Sequence, residues 1–147
     1  MIQDYYNLIT ALNTKSQLVI GEGFKLKQVN GDGHRFTIYN NIGNTKAVNR
    51  LDGGTASEVD VYNWFGCYYL YVEVKFIFEQ KVPYRKKLPK VVVSQCSISI
   101  SVFKLLNEKF VQLFRAEWDD FDDNQSSHPQ PHWHITSDIS VANTFDE

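Results

Sequence analysis

Scarcity is the first guide to this chain. It holds 2 cysteines in 147 residues, too few for a disulfide framework. Cys67 and Cys96 each sit in an apolar, strand-like run, and Cys67 lacks the cationic neighbours that lower a thiol pKa. Both read as buried free thiols. A dominant charge sign is also missing, since 15 Lys+Arg against 17 Asp+Glu leave a formal net charge of −2. No overall field draws the protein to nucleic acid, so such binding needs a local basic patch or bound cations. No apolar run approaches the roughly 20 residues that span a bilayer. The N-terminal MIQDYYNLITALN has neither a basic n-region nor an unbroken apolar stretch, so no signal peptide is expected. The expectation is a cytoplasmic protein with no membrane partner.

What is present suits a packed domain. The chain is 43% hydrophobic and 14% aromatic, enough for a core at a length that buries roughly two-thirds of the unfolded surface. Ile2, Tyr5, Tyr6, Ile9 and Leu12 recur at helical spacing behind Asp4, and Asn13-Thr14 end the pattern. The period then changes to two. Leu18 to Val29 and Arg35 to Asn40 read as strands joined by the turn Asn30-Gly31-Asp32-Gly33. This glycine-rich turn and Gly21-Glu22-Gly23 precede no helix, so neither is a phosphate-binding loop. A short edge strand between Asn41 and Thr55, and another at Val59 to Trp64, are expected next.

The clearest strand is Cys67 to Phe78. It places Tyr68, Leu70, Val72, Val74, Phe76 and Phe78 on one face, with Glu73, Lys75 and Glu79 on the other. A long strand from Lys90 to about Lys104 points Cys96, Ile98, Ile100 and Val102 inward and Ser97, Ser99 and Ser101 outward. Phe103 to Trp118 fits either a helix or a hairpin turn followed by a strand, and its aromatic residues favour the strand. The order predicts an α+β fold: residues 1–147 as a single domain with an N-terminal helix and a predominantly antiparallel, meander-like sheet. Residues 138–147 read as a frayed tail or the edge of a longer chain.

Chemistry concentrates in His128-Pro-Gln-Pro-His-Trp-His-Ile135, which holds three of the 4 histidines. If His132 to Thr136 is a strand, His132 and His134 share one face while Trp133 and Ile135 take the other. Pro129 and Pro131 hold His128 in an extended approach. A strand over Phe110 to Asp119 puts Arg115, Glu117 and Asp119 on one face. Pairing of that strand with the histidine segment would set carboxylates and a guanidinium beside the imidazoles.

Three readings follow. His132, His134, His128, Glu117 and Asp119 suit a divalent metal ion, zinc or manganese. Alternatively, His128, His132, His134 and Glu117 perform acid–base chemistry at a phosphodiester while Arg115 binds phosphate. In the third reading, the histidines are half-exposed polar residues on a rigid strand entry. The basic loop Lys81, Arg85, Lys86, Lys87 and Lys90 around Tyr84 could contact phosphates and stack on a base, or be a solvated hairpin loop. His34 reads as a surface strand residue.

The string HPQPHWHI resembles the signature H-x-P-P-H-aromatic-H-aliphatic of small bacterial proteins found near toxin–antitoxin loci. Arg115-x-Glu117 ahead of Pro-His-x-His is similar to toxin-like families that carry Arg-x-Asp there. The likeness covers about 20 of 147 residues; the first proline is displaced to 129, and Glu117 replaces the Asp. It implies a prokaryotic toxin or defence protein acting on RNA or nucleotides, with an antitoxin as partner. The competing expectation is a non-enzymatic interaction module, docking through Tyr62, Trp64, Tyr69 and Tyr71.

Overall fold

The computed structural model describes residues 5–39, 45–51, 54–82, 90–119 and 132–135. Among these described residues a helix, α1 (Tyr5–Val19), leads into nine strands: β1 (Leu26–Val29), β2 (Asp32–Ile38), β3 (Lys46–Arg50), β4 (Ala56–Asp60), β5 (Tyr62–Phe65), β6 (Tyr68–Lys81), β7 (Lys90–Leu106), β8 (Lys109–Asp119) and β9 (His132–Ile135). Strand accounts for 67% and helix for 14% of these residues. The α+β expectation is therefore corrected to a small, sheet-dominated fold. The reason is the length of β6, β7 and β8, whose alternating pattern runs on far beyond what one helix contributes.

The main sheet is antiparallel, in the order β1-β2-β6-β7-β8-β9, with β5 also paired to β6. β7 occupies one edge of β6 along its length, so β2 and β5 divide the other. On one face, Phe24, Leu26, Phe36, Val72, Val74 and Phe76 form a core closed by Leu8, Ile9 and Leu12 of α1. The opposite face carries the separate hairpin β3–β4. There Ala47, Val59 and Val61 pack on Tyr71 and Phe103.

Helix α1 continues to Val19, past the expected stop at Asn13-Thr14, and only Leu26–Val29 of the expected first strand forms. The polar residues that read as a terminus are used inside the helix. Asn13 Oδ1 accepts the Leu26 N–H at 2.9 Å, Gln17 Nε2 donates to the Phe24 carbonyl at 2.9 Å, and Thr14 Oγ1 donates to the Thr10 carbonyl at 2.9 Å. Asn13 and Gln17 thereby clamp α1 onto the strand entry, while Thr14 bonds back within the helix, and so none of them ends it. The chain leaves at Gly21, whose φ of +148° would strain any residue with a Cβ and where that Cβ would stand 2.8 Å from the Tyr62 hydroxyl.

Two further expectations change. Ser101 and Tyr71, expected at the surface, are both buried because the hairpin covers their face. Cys67 and Cys96 are free thiols, but half-buried instead of buried. The strand reading of 109–119 is the one the structure takes; Asn107 and Glu108 make its turn with positive φ of 46° and 64°. Among the described residues, no helix is long and apolar enough to cross a membrane.

Candidate functional site

Because β6, β7, β8 and β9 pair without slippage through the middle of the sheet, their polar positions align in rows across it. One row runs Tyr71–Ser101–Arg115–His134, the next Glu73–Ser99–Glu117–His132, and a third Lys75–Ser97–Asp119. The expected pairing of the histidine strand with the 110–119 strand is therefore present, with Arg115 opposite His134 and Glu117 opposite His132.

Within these rows, Glu117 is the hub. Its Oε1 lies 2.9 Å from Arg115 Nε and its Oε2 lies 3.4 Å from His134 Nε2. Arg115 is only 3% exposed. Its Nη1 also donates to the Arg50 carbonyl at 2.7 Å, which ties the site to the hairpin. Gln112 grips the same residue, accepting the Arg50 N–H at 2.7 Å and donating to its carbonyl at 3.2 Å. Gln112 and Arg115 are three positions apart, yet both serve the hairpin. A β-bulge opposite Val102/Phe103 inserts one extra residue in β8 and switches its parity.

A groove of about 390 Å³ lies between this polar face and the hairpin. Ser97 and Ser99 line it from β7, Glu73 and Lys75 from β6, and Glu117 and Asp119 from β8. Arg35, Tyr71 and Glu73 form a second charged cluster beside it. Glu73 Oε2 accepts from Tyr71 Oη at 2.8 Å and from Arg35 Nε, and Glu73 Oε1 lies 3.2 Å from Lys75 Nζ. Burial pushes the Glu73 carboxyl up, but hydrogen bonds from Tyr71 and Arg35 and the Lys75 charge outweigh it, so its pKa falls below the usual carboxylate range. The Tyr71 hydroxyl is pushed up to about 12, first by desolvation and then by the Glu73 carboxylate, against the Arg35 hydrogen bond. The Arg35 pKa is raised, foremost by its hydrogen bond to Tyr71.

Of the residues singled out in the sequence, the structure brings Arg115, Glu117 and His134 together and puts Glu117 and Asp119 on the groove. His132 takes the register position opposite Glu117, while its side chain, like His128, lies outside the described residues. Among the described residues, no group of three or more His, Cys, Asp and Glu could hold a metal ion. The basic residues Arg85, Lys86 and Lys87, with Tyr84, also lie outside them. His34 is exposed and packs on Phe78, ring centroids 4.8 Å apart.

Sequence reasoning missed the cluster of Arg35, Tyr71 and Glu73 and the roofing residue Asn49. The signal was there: Glu73 and Lys75 alternate on one strand, and Ser97, Ser99 and Ser101 on the next. Only the register shows that they face each other under a lid. No family model, curated protein or solved structure matches the chain.

Proposed function

We propose that the protein is a hydrolase of phosphodiester or nucleotide substrates, with His134 as general base and Glu117 as the carboxylate that orients it. The observation that carries this reading is the Glu117 carboxylate held between the buried Arg115 guanidinium and the His134 imidazole. A carboxylate fixed in this way selects one imidazole tautomer and stabilises the imidazolium that forms when the ring accepts a proton from attacking water. His134 keeps 34% of its side chain accessible, so a substrate can reach it. Arg115 acts here as a positioning residue, since its guanidinium is committed beneath the groove to Glu117 and Arg50.

His132 and His128 belong to the same proposal as the second acid–base group or, with His134, Glu117 and Asp119, as ligands of zinc or manganese. A divalent ion would neutralise phosphate charge in a groove rich in carboxylates. The toxin or defence setting, RNA as substrate and an antitoxin as partner rest on the histidine–proline resemblance.

The test is turnover of bis(p-nitrophenyl) phosphate and of a mixed-sequence RNA by the wild type, His134→Ala and Glu117→Gln, each with chelator and with zinc or manganese restored. The expected result is turnover that both variants lose while their circular dichroism stays unchanged. Turnover that survives the chelator assigns acid–base chemistry without metal. Variants as active as wild type would sink the reading. A second reading, the non-enzymatic interaction module, is favoured by β9, the last strand of the sheet among the described residues. Its Trp133 and Ile135 are 61% and 78% exposed. It requires that the wild type turn over neither substrate with any metal.

A further inference from the structure

The groove between the sheet and the hairpin has a composition that specifies a ligand. Its floor is β7, where the serines of the alternating run Ser97-Ile-Ser99-Ile-Ser101 face the hairpin, Ser97 and Ser99 in the groove itself and Ser101 buried at its end. Small side chains there leave a trench between two taller walls. Glu73 rises on one side of Ser99 and Glu117 on the other, in one cross-strand row. Two interstrand spacings set their Cα atoms roughly 10 Å apart, about the width of one sugar ring with its hydroxyls.

Each wall carboxylate is braced by an arginine, Glu73 by Arg35 and Glu117 by Arg115. Neither has to be ordered when a ligand arrives. Ser101 is already bonded, donating to Asn49 Oδ1 at 2.7 Å. Ser99 is different: the residue lines the groove, and its Oγ, buried just beneath, has no hydrogen-bond partner among the described residues. A buried hydroxyl without a partner is costly, and one facing a cavity is met by whatever the cavity binds.

We infer that this trench binds the vicinal diol of a sugar ring, Ser99 giving and receiving hydrogen bonds at its floor and Glu73 accepting a hydrogen bond from a ring hydroxyl at the side. Paired hydroxyls match this set because each is both donor and acceptor, whereas a phosphate offers only acceptors and would meet carboxylates on both walls. Two sources present the same chemistry, the ribose of a nucleotide and a free or glycan hexose. The ribose assignment deepens the proposed function and rests on it: with the ribose in the trench, the phosphate lies outside it, past the Glu117 wall on the β9 side that carries His134.

Binding of adenosine, 2′-deoxyadenosine and methyl α-D-glucopyranoside to the whole chain, by calorimetry and saturation-transfer NMR, tests this directly. Adenosine should bind at least about tenfold more tightly than its 2′-deoxy analogue, the loss expected for a missing hydrogen bond to a charged or buried partner. Ser99→Ala should abolish that preference. Ribose-selective binding by a wild type that hydrolyses no phosphodiester would remove the catalytic reading alone. Binding of the glucoside and not adenosine, lost in Ser99→Ala, would keep the diol site and overturn its nucleotide source. Equal binding of adenosine and 2′-deoxyadenosine, or binding of none of the three, overturns the inference. The wild-type comparison needs no variant to fold.

Discussion

Arg115 Nη1 donates to the carbonyl of Arg50 at 2.7 Å, joining the central sheet to the hairpin that crosses it. The same guanidinium lies 2.9 Å from Glu117, so the lid of the groove and the proposed base–carboxylate pair share one anchor. Arg115→Met should leave the Arg50 carbonyl with only its longer bond from Gln112, at 3.2 Å, and leave Glu117 beneath the hairpin without its cation. A loss of roughly 2 kcal/mol is expected: Arg115 itself is buried, while the partners it leaves behind keep some access to water. Urea unfolding monitored by tryptophan fluorescence measures it; a loss below about 1 kcal/mol would show that the anchor is dispensable.

Ser101 and Asn49 make the other bond between sheet and hairpin, 2.7 Å long and buried on both sides. Ser101→Ala should cost about 1–3 kcal/mol, because Asn49 Oδ1 then lacks this donor away from water. Combined with Asn49→Leu, the total loss should be smaller than the sum of the two single losses. Strict additivity in a double-mutant cycle would contradict a direct bond.

Stability should fall at both ends of the pH scale. Glu73 has a folded pKa below its ordinary 4.5, so its contribution is present above 4.5 and is lost as pH falls through the folded value. Tyr71 is raised from 10 to about 12, so its contribution is complete below 10 and disappears as pH rises toward 12. Thermal unfolding from pH 2 to 12 should show both limbs. Glu73→Gln should flatten the acid limb and Tyr71→Phe the alkaline one; unchanged limbs would refute the assignments.

The β7–β8 turn holds Glu108 at a φ of 64°, a conformation that costs a residue with a Cβ. Asn107, at 46°, occupies the preceding position, where Asn is well tolerated. Glu108→Gly creates the Asn-Gly pair favoured in such turns and should stabilise the protein by about 0.5–1 kcal/mol. A calorimetric scan should record a higher Tm; a lower one would mean that Glu108 makes contacts worth more than the strain.

Strand periodicity was readable wherever one face was greasy and the other polar. From Val72 to Phe78 the apolar positions share one face as expected, and that face packs against α1. The carboxylate, guanidinium and histidine of the site were also readable, because Arg115, Glu117 and His134 lie at positions that pairing would align. Alternation failed at Ser101 and Tyr71. A polar face looks the same in sequence whether water or a second layer lies over it, and only the hairpin's position distinguishes them. It failed again at Gln112, where the bulge shifts the parity by one residue without leaving a mark in composition.

The sequence by itself determined that the chain would build long antiparallel strands with one apolar face, and that Arg115 and Glu117 on one strand, and His132 and His134 on another, would each share a face. Those are local matters, set by a period of two and by spacing along the chain. Only the tertiary structure decided that Ser97 and Ser99 would floor a groove, that Glu73 and Glu117 would face each other across it, and that Arg115 would be buried. These depend on register between distant strands and on a covering hairpin. Both are held by long-range contacts such as Arg115 to Arg50 and Ser101 to Asn49, which no local pattern encodes.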